Sequence, residues 1–159
     1  MAVDYLLEID GVKGEAKDSK HPDSVEIMTF QWGNQNAGSA SSGSGAGAGK
    51  VQFSDVHITS LTNKASPLLM QACASGEHIK KAQLFIRKQG DGQQDFYVAT
   101  IEDFIVSSYQ SGGSPGEPPT DQYRLNFAKI KIEYRPQKAD GSLGAPITVG
   151  WDVKRNVKL

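Results

Sequence analysis

Apolar and polar residues alternate along much of this 159-residue chain, a pattern typical of β-strands. The first such segment is apolar at every second position, at Val3, Tyr5, Leu7 and Ile9. The same alternation predicts strands in SVEIMTFQWG (24–33), KVQFSDVHITS (50–60), KAQLFIRKQ (81–89), QDFYVATIEDFIVSSYQ (94–110), DQYRLNFAKIKIEYRP (121–136) and ITVGWDVKRN (147–156). The turn signal GDGQ at Gly90–Gln93 predicts a hairpin.

Two of these segments change phase, which predicts β-bulges or bends. The apolar positions shift between Phe53 and Val56, and again at Ala128–Lys129. In segment 24–33 apolar residues fall on both faces, so both faces are expected to be partly buried: Val25 and Ile27 on one, Met28, Phe30 and Trp32 on the other.

One helix is predicted at about residues 66–76. Ser66 is the expected N-cap, Pro67 suits the first helical position, and Gly76 suits the position just past the end. Only Gln71 and Ser75 are polar in between. Because a surface helix normally has a wider polar face, we expect the barrel to cover one side and a neighbouring subunit the other. The alternative is a short helix that plugs the barrel.

Together these elements predict a mainly β fold, a single β-barrel of antiparallel strands with one short flanking α-helix. Residues 37–49 are only Gly, Ala and Ser, and Lys50 follows. The residues before this stretch are too few for a stable domain, so it is predicted to be a long loop (about 37–50) within one domain, 1–159. Ser111–Gln122 and RPQKADGSLGAP (135–146) are predicted to be further loops.

The composition limits which partners and which cellular compartment are expected. A net charge of −1 gives no strong attraction to nucleic acid or to an anionic membrane. Cys73 is the only cysteine, so no internal disulfide can form and a reducing cytoplasm is expected. The first residues show no basic region followed by an apolar run, so no signal peptide is predicted.

Candidate chemistry is sparse, and we predict no enzyme, cofactor or metal site. GAGAGK is not a P-loop, because Ser44 and Val51 stand where that motif needs Gly and Ser or Thr. Asp55 and His57 could orient an imidazole, but no nucleophile is recognisable, which leaves a hydrolase as a weak alternative. The turn around Pro22 is expected to be solvated: Asp18, His21 and Asp23.

The charged residues do not favour nucleic-acid binding either, because the basic residues occur as scattered pairs. These pairs are expected to lie on a solvated face or to bridge to a neighbouring subunit: Lys80–Lys81, Arg87–Lys88 and Lys154–Arg155.

Several segments, in order, resemble the Hcp family (haemolysin co-regulated protein), the inner-tube subunit of bacterial type VI secretion. They are VDYLLEIDGVKGEAKD with His21 following, FQWG, GAGAGKVQFSDV, SPLLMQACASGEH, KAQLFIRKQG, VSSYQSGG, LNFAKIKIEYRPQKADG and GWDVKRN. The resemblance covers essentially the whole chain. The first loop departs from the family in its richness in Ser and Ala.

The resemblance implies a structural protein. Six copies would form a ring, rings would stack into a tube, and the lumen would carry effector proteins. Sheath and spike proteins of the secretion machine would be further partners. The chain would fold in the cytoplasm and be secreted without a signal peptide. The alternatives are a phage-type tail-tube subunit and a small-ligand-binding β-barrel.

Two sets of residues are predicted to take part in this assembly. Gln31 is expected to point into the lumen, where it would contact effectors, because strand alternation turns Phe30 and Trp32 towards the barrel core. A ring-stacking role is expected for the long loop, at Ser39, Ser41, Ser42, Gly43, Ser44, Gly45 and Lys50.

Overall fold

Strands form where the apolar alternation predicts them. The structure is a computed structural model that describes residues 2–36, 50–89 and 92–159. Its strands are β1 (Val3–Ile9), β2 (Val25–Gln31), β3 (Asn34–Gln35), β4 (Gln52–Phe53), β5 (Val56–Leu61), β6 (Ile79–Lys88), β7 (Asp95–Gly112), β8 (Thr120–Tyr134), β9 (Ile147–Asp152) and β10 (Val157–Lys158). The helix α1 (Ser66–Ser75) lies between β5 and β6.

Six of these strands close into an antiparallel barrel in the order β8-β5-β2-β1-β6-β7, with β7 returning to β8. The predicted barrel is therefore confirmed. Closure is possible because β7 and β8 are long enough to pair with each other along almost their whole length. The strands β9 and β10 extend the sheet beyond the barrel from β8, and β3 and β4 form a separate two-stranded sheet.

The barrel interior holds the main hydrophobic core. On β8 the buried residues Tyr123, Leu125 and Phe127 alternate with exposed ones, as a strand with one face towards a core requires. Val25, Ile58 and Phe104 complete the same core from β2, β5 and β7. Each barrel strand therefore has one inward and one outward face, and the outward faces are available for other roles.

The strand β2 has a bulge between Ile27 and Thr29 that the sequence pattern did not predict. The extra residue lets Ile27 and Phe30 both pack on the core, although they are three positions apart. Met28 then lies outside and is 54% exposed, so its predicted partial burial was wrong.

The phase change between Phe53 and Val56 is a break rather than a bulge. The strand β4 pairs with β3, whereas β5 pairs with β2, and the chain passes from one sheet to the other at Ser54 and Asp55. The predicted bulge in a single strand was therefore wrong.

The bulge or bend predicted at Ala128–Lys129 stays a prediction, although the alternation does change phase there, since Phe127 and Ala128 are both buried. There β8 changes its partner from β5, which it pairs up to Leu125, to β9, which it pairs from Lys129. On the facing strand Asp103 has a left-handed φ of 51°, between paired residues 102 and 104.

The helix begins one residue earlier than a Ser66 cap would require. Its N-cap is Ala65, without a side-chain hydrogen bond, so the prediction for Ser66 was wrong. The hydroxyl of Ser66 instead donates to buried Asp121 and accepts from the Asn63 N–H. Gly76 ends the helix at φ 67°, in the left-handed region that glycine adopts at little cost, as predicted.

The three predicted loops had different outcomes. The second one is shorter than expected, because β7 continues to Gly112 and β8 begins at Thr120. The third connects β8 and β9, as expected. In the first, residues 37–49 lie outside the described residues, and Lys50 is exposed.

Candidate functional site

The outward sides of β2, β5, β8 and β7 form one continuous polar surface, which we call the polar face. The pairing register aligns one row of its side chains across the four strands. A second row runs parallel to it. From β2 to β7, the first row is Gln31, His57, Arg124 and Ser108. The second row is Thr29, Thr59, Gln122 and Gln110.

Gln31 lies on this polar face, as the β2 residue of the first row. It is exposed, while Phe30 and Trp32 on either side pack against the core, so the predicted alternation is confirmed. Its position in a lumen stays a prediction. The second row consists only of hydroxyl and amide side chains, which form hydrogen bonds without carrying charge.

Asp55, once paired with His57 in a hydrolase hypothesis, has other partners. Its Oδ1 accepts a hydrogen bond from Asn126 at 2.8 Å and its Oδ2 accepts one from Ser107 at 2.6 Å. These bonds tie the segment before β5 to β7 and β8. Both carboxylate oxygens are thus engaged in holding the barrel strands together.

The opposite kind of surface covers β1 and β6, and we call it the ion-paired face. It consists of side chains of these strands, of the β6–β7 hairpin and of the loop that follows β1: Asp4, Glu8, Asp18, Lys20, His21, Phe85, Arg87 and Asp95. The loop lies over the outer side of the sheet, so part of this surface is buried beneath it.

His21 is buried in this face, where a solvated turn was expected. Its ring stacks on Phe85, with ring centroids 4.0 Å apart. Its Nδ1 lies 3.0 Å from Glu8 Oε1 and its Nε2 lies 2.9 Å from Asp95 Oδ2. Because an ionised carboxylate only accepts hydrogen bonds, this arrangement is complete when both ring nitrogens carry hydrogen.

Arg87 is the second buried group of the ion-paired face. Its Nη2 donates to Asp18, and its Nε lies 3.5 Å from Asp4 Oδ2. The hydrogen bond from Arg87 lowers the pKa of Asp18 from its usual 3.8 to about 2, and the same contact raises the pKa of Arg87. The expectation that this basic residue serves a solvated face or a neighbour was wrong.

Lys20 and Lys154 also have partners within the chain. Lys20 Nζ donates to the carbonyl oxygens of Gly92 at 2.6 Å and Gln93 at 3.1 Å, which joins the β1–β2 loop to the β6–β7 hairpin. Lys154 Nζ lies 2.9 Å from Asp103 Oδ2. Sequence reasoning missed all these partners, because they are far apart in the chain and no local motif connects them.

Exposed apolar side chains lie on both faces of the sheet beyond the barrel. Tyr134, Ile147 and Val149 share one face, and we call them the edge patch. Val157 and Leu159 lie on the other face. Ile147 and Val149 are 61% and 64% exposed. A cleft of about 640 Å³ separates this region from the β3–β4 sheet, and Trp32, Phe53 and Trp151 contribute to its walls.

The helix α1 has one covered and one uncovered side. Leu69 and Ala72 are buried, and the helix packs against β7, so the predicted cover by the barrel is confirmed. Leu68 and Met70 are 43% and 51% exposed, and we call them the helix patch. The predicted cover by a neighbouring subunit stays a prediction.

Residues 2–36, 50–89 and 92–159 contain neither a metal-binding cluster nor a membrane-spanning helix. In these ranges no three His, Cys, Asp or Glu side chains are placed to hold a metal ion. Within the same ranges, no helix has the length and apolar character needed to cross a membrane.

Comparison with known proteins adds a family. The family model described as "Type VI secretion system effector, Hcp" matches residues 6–134. The protein hcp1 of Pseudomonas aeruginosa is 42% identical over 161 residues, which cover 99% of each chain.

Solved structures give the same result. A type six secretion system protein superposes with a TM-score of 0.93 at 30% identity, over 99% of this chain and 100% of the other. Hcp1 from Salmonella typhimurium superposes with a TM-score of 0.83 at 32% identity, over 100% of both chains. A type VI secretion system effector from Yersinia pestis reaches 0.76 at 27% identity, over 94% of this chain and 100% of that one.

Proposed function

The chain belongs to the Hcp family of type VI secretion tube proteins, and we propose that six copies close into a ring and that rings stack into the inner tube. The sheath would surround this tube and the spike would cap it. We further propose that the subunit folds in the cytoplasm and leaves the cell inside the machine without a signal peptide, with a structural and carrier role.

The observation that carries the ring is the pair of exposed apolar patches on different elements. A closed ring uses heterologous contacts, in which one surface of each copy meets a different surface of the next. The edge patch and the helix patch provide two such surfaces. Within the described ranges, residues 147–149 also have no strand partner on the side away from β8, so this edge could pair with the next copy.

The polar face suits the lumen of such a ring. Most side chains of its two rows are amides and hydroxyls, with His57 and Arg124 among them, so the face can form hydrogen bonds with a protein in the lumen. Gln31 would then face the cargo, as its position on β2 suggests. This assignment places effector proteins as partners along the rows of β2, β5, β7 and β8.

The stacking of rings is assigned to the long loop. Lys50, at its end, is exposed, whereas Ser39, Ser41, Ser42, Gly43, Ser44 and Gly45 lie outside the described residues. We expect a shortened loop to spare the ring and to weaken contacts between rings. Sedimentation at increasing protein concentration would separate these two effects, and an unfolded subunit would contradict the assignment.

Negative-stain electron microscopy tests the ring directly. We expect six-fold particles with a central hole, and uniformly monomeric particles at high concentration would contradict the proposal. Val149→Glu places a charge in the edge patch and should abolish the rings without a change in the circular dichroism spectrum. Lys138→Glu, in the exposed β8–β9 loop, is the matched control and should leave the rings intact.

A second experiment tests the lumen. Gln31→Glu introduces a negative charge on the polar face and should leave the rings intact while it reduces retention of a co-expressed effector. Loss of the ring itself would show that Gln31 belongs to an interface between subunits. Retention equal to that of the unchanged protein would place Gln31 away from the cargo.

A further inference from the structure

Arg124 differs from the other side chains in the two rows of the polar face. It is exposed on β8, between His57 on β5 and Ser108 on β7. It is the only arginine or lysine in either row. Among the residues that the structure describes, no carboxylate lies within 4.0 Å of its guanidinium, although Arg87 on the ion-paired face has two carboxylate partners.

The reason lies in how the neighbouring carboxylate is held. Asp55 is next to this row on the same outer side, but Asn126 and Ser107 each donate to one of its oxygens. The Ser107 hydroxyl is also within hydrogen-bond distance of the Arg124 carbonyl oxygen, 3.3 Å away. The fixed position of Asp55 therefore leaves the guanidinium available to an external acceptor.

We propose that Arg124 is a carboxylate-binding point of the polar face and that it favours acidic polypeptide segments as cargo. Guanidinium binds carboxylate through two parallel hydrogen bonds, and Gln31 and His57 in the same row offer further polar contacts. This inference rests on the proposed ring, in which six copies of Arg124 would lie at one level of the lumen. Because Asp55 lies on the same outer side, the attraction comes from direct contact with the guanidinium and not from the net charge of the wall.

The test measures retention of labelled peptides by purified rings. The probes are an oligo-glutamate peptide and an oligo-lysine peptide of equal length. We expect Arg124→Gln to reduce retention of oligo-glutamate at low salt by about tenfold, the loss of one charge-assisted contact, and to leave oligo-lysine unchanged or slightly better retained. High salt should remove most of the difference.

Two variants serve as controls. Lys131→Gln removes a positive charge from an exposed position on the same strand, outside the polar face, and should retain both probes like the unchanged protein. Arg124→Lys keeps the charge without the paired hydrogen-bond geometry. Its retention of oligo-glutamate should lie between that of the unchanged protein and that of Arg124→Gln. Equal losses in Lys131→Gln and Arg124→Gln would overturn the inference, because net charge alone would then explain the effect.

Microscopy of the same samples separates this inference from the proposed ring. If the unchanged protein forms no rings, the proposed function itself fails. If rings form and Arg124→Gln retains oligo-glutamate as well as the unchanged protein, only the role of Arg124 is overturned.

Discussion

The two outer faces of one barrel use charge in opposite ways. On the ion-paired face, Arg87 and His21 are buried and have carboxylate partners from distant parts of the chain. On the polar face, Arg124 is exposed and has no carboxylate partner among the described residues. The strand β7 contributes Asp95 to the ion-paired face and Ser108 and Gln110 to the polar face, so the difference does not come from the strand itself. It comes from what covers them.

The cover is the loop that follows β1. Where it lies over β1 and β6, water is excluded and each charge needs a partner, because an unpaired buried charge is costly. Lys20, Asp18 and His21 supply contacts from the loop itself. The polar face has no such cover in the described chain, so its side chains stay hydrated. One face therefore stabilises the fold, and the other is available for binding.

The same substitution on both faces tests whether a buried and an exposed arginine contribute differently to stability. Arg87→Met removes the buried guanidinium and leaves Asp18 without its main partner. We expect a loss of about 3–5 kcal/mol in the free energy of unfolding. Arg124→Met on the polar face should change it by no more than about 0.5 kcal/mol.

Urea unfolding followed by fluorescence measures both variants, provided that the slope against urea stays the same. A similar small change in both variants would mean that the buried ion pairs contribute no more than exposed ones. A large loss in Arg124→Met would show that the polar face is structural, and the lumen assignment would then lose its basis.

The sequence predicted the polar face better than the ion-paired face. Alternation alone placed Gln31 outside and Phe30 and Trp32 inside, since a strand has only two faces. The barrel followed from the number of strands and from the hairpin signals. The change of phase at Ala128–Lys129 was visible in the sequence, and Phe127 and Ala128 are both buried.

The ion-paired face could not be predicted, because its contacts depend on the register between distant strands. Asp18 and Arg87 are 69 residues apart, and both looked like ordinary surface residues in the sequence. Met28 shows the same limit on a smaller scale. Met28 is exposed because of a bulge, and only the pairing of β2 with β5 reveals that bulge.

A smaller effect on stability is expected from acid, through the Asp18 carboxylate of the ion-paired face. The pKa of Asp18 is about 2 in the folded protein and 3.8 in its ordinary state. Because the folded pKa is the lower one, the carboxylate stabilises the fold above pH 4, and this contribution is lost as the pH falls towards 2. It amounts to about 2 kcal/mol near neutral pH and about half of that at pH 3.

Asp18→Asn should therefore be less stable than the unchanged protein by about 2 kcal/mol at pH 7, and the gap should narrow at pH 3. Urea unfolding at both pH values gives this difference. The matched variant is Asp140→Asn in the exposed β8–β9 loop, whose carboxylate bonds only to nearby Ser142. A gap for Asp18→Asn that stays constant with pH would mean that its charge does not stabilise the fold.

The smallest expected effect compares two glutamines, one from each side of the barrel. Gln83 is on β6, opposite Glu8 of β1, and its side chain donates to buried Thr100 Oγ1 at 3.2 Å. Gln122 is exposed in the second row of the polar face. Gln83→Ala should cost about 1 kcal/mol of unfolding free energy, and Gln122→Ala less than about 0.5 kcal/mol. Both substitutions remove the same atoms from a central strand, so their difference in urea unfolding isolates the effect of the surroundings. If Gln122→Ala were the more costly variant, the amide rows of the polar face would be part of the scaffold, and a hydrated lumen wall would no longer explain why they are there.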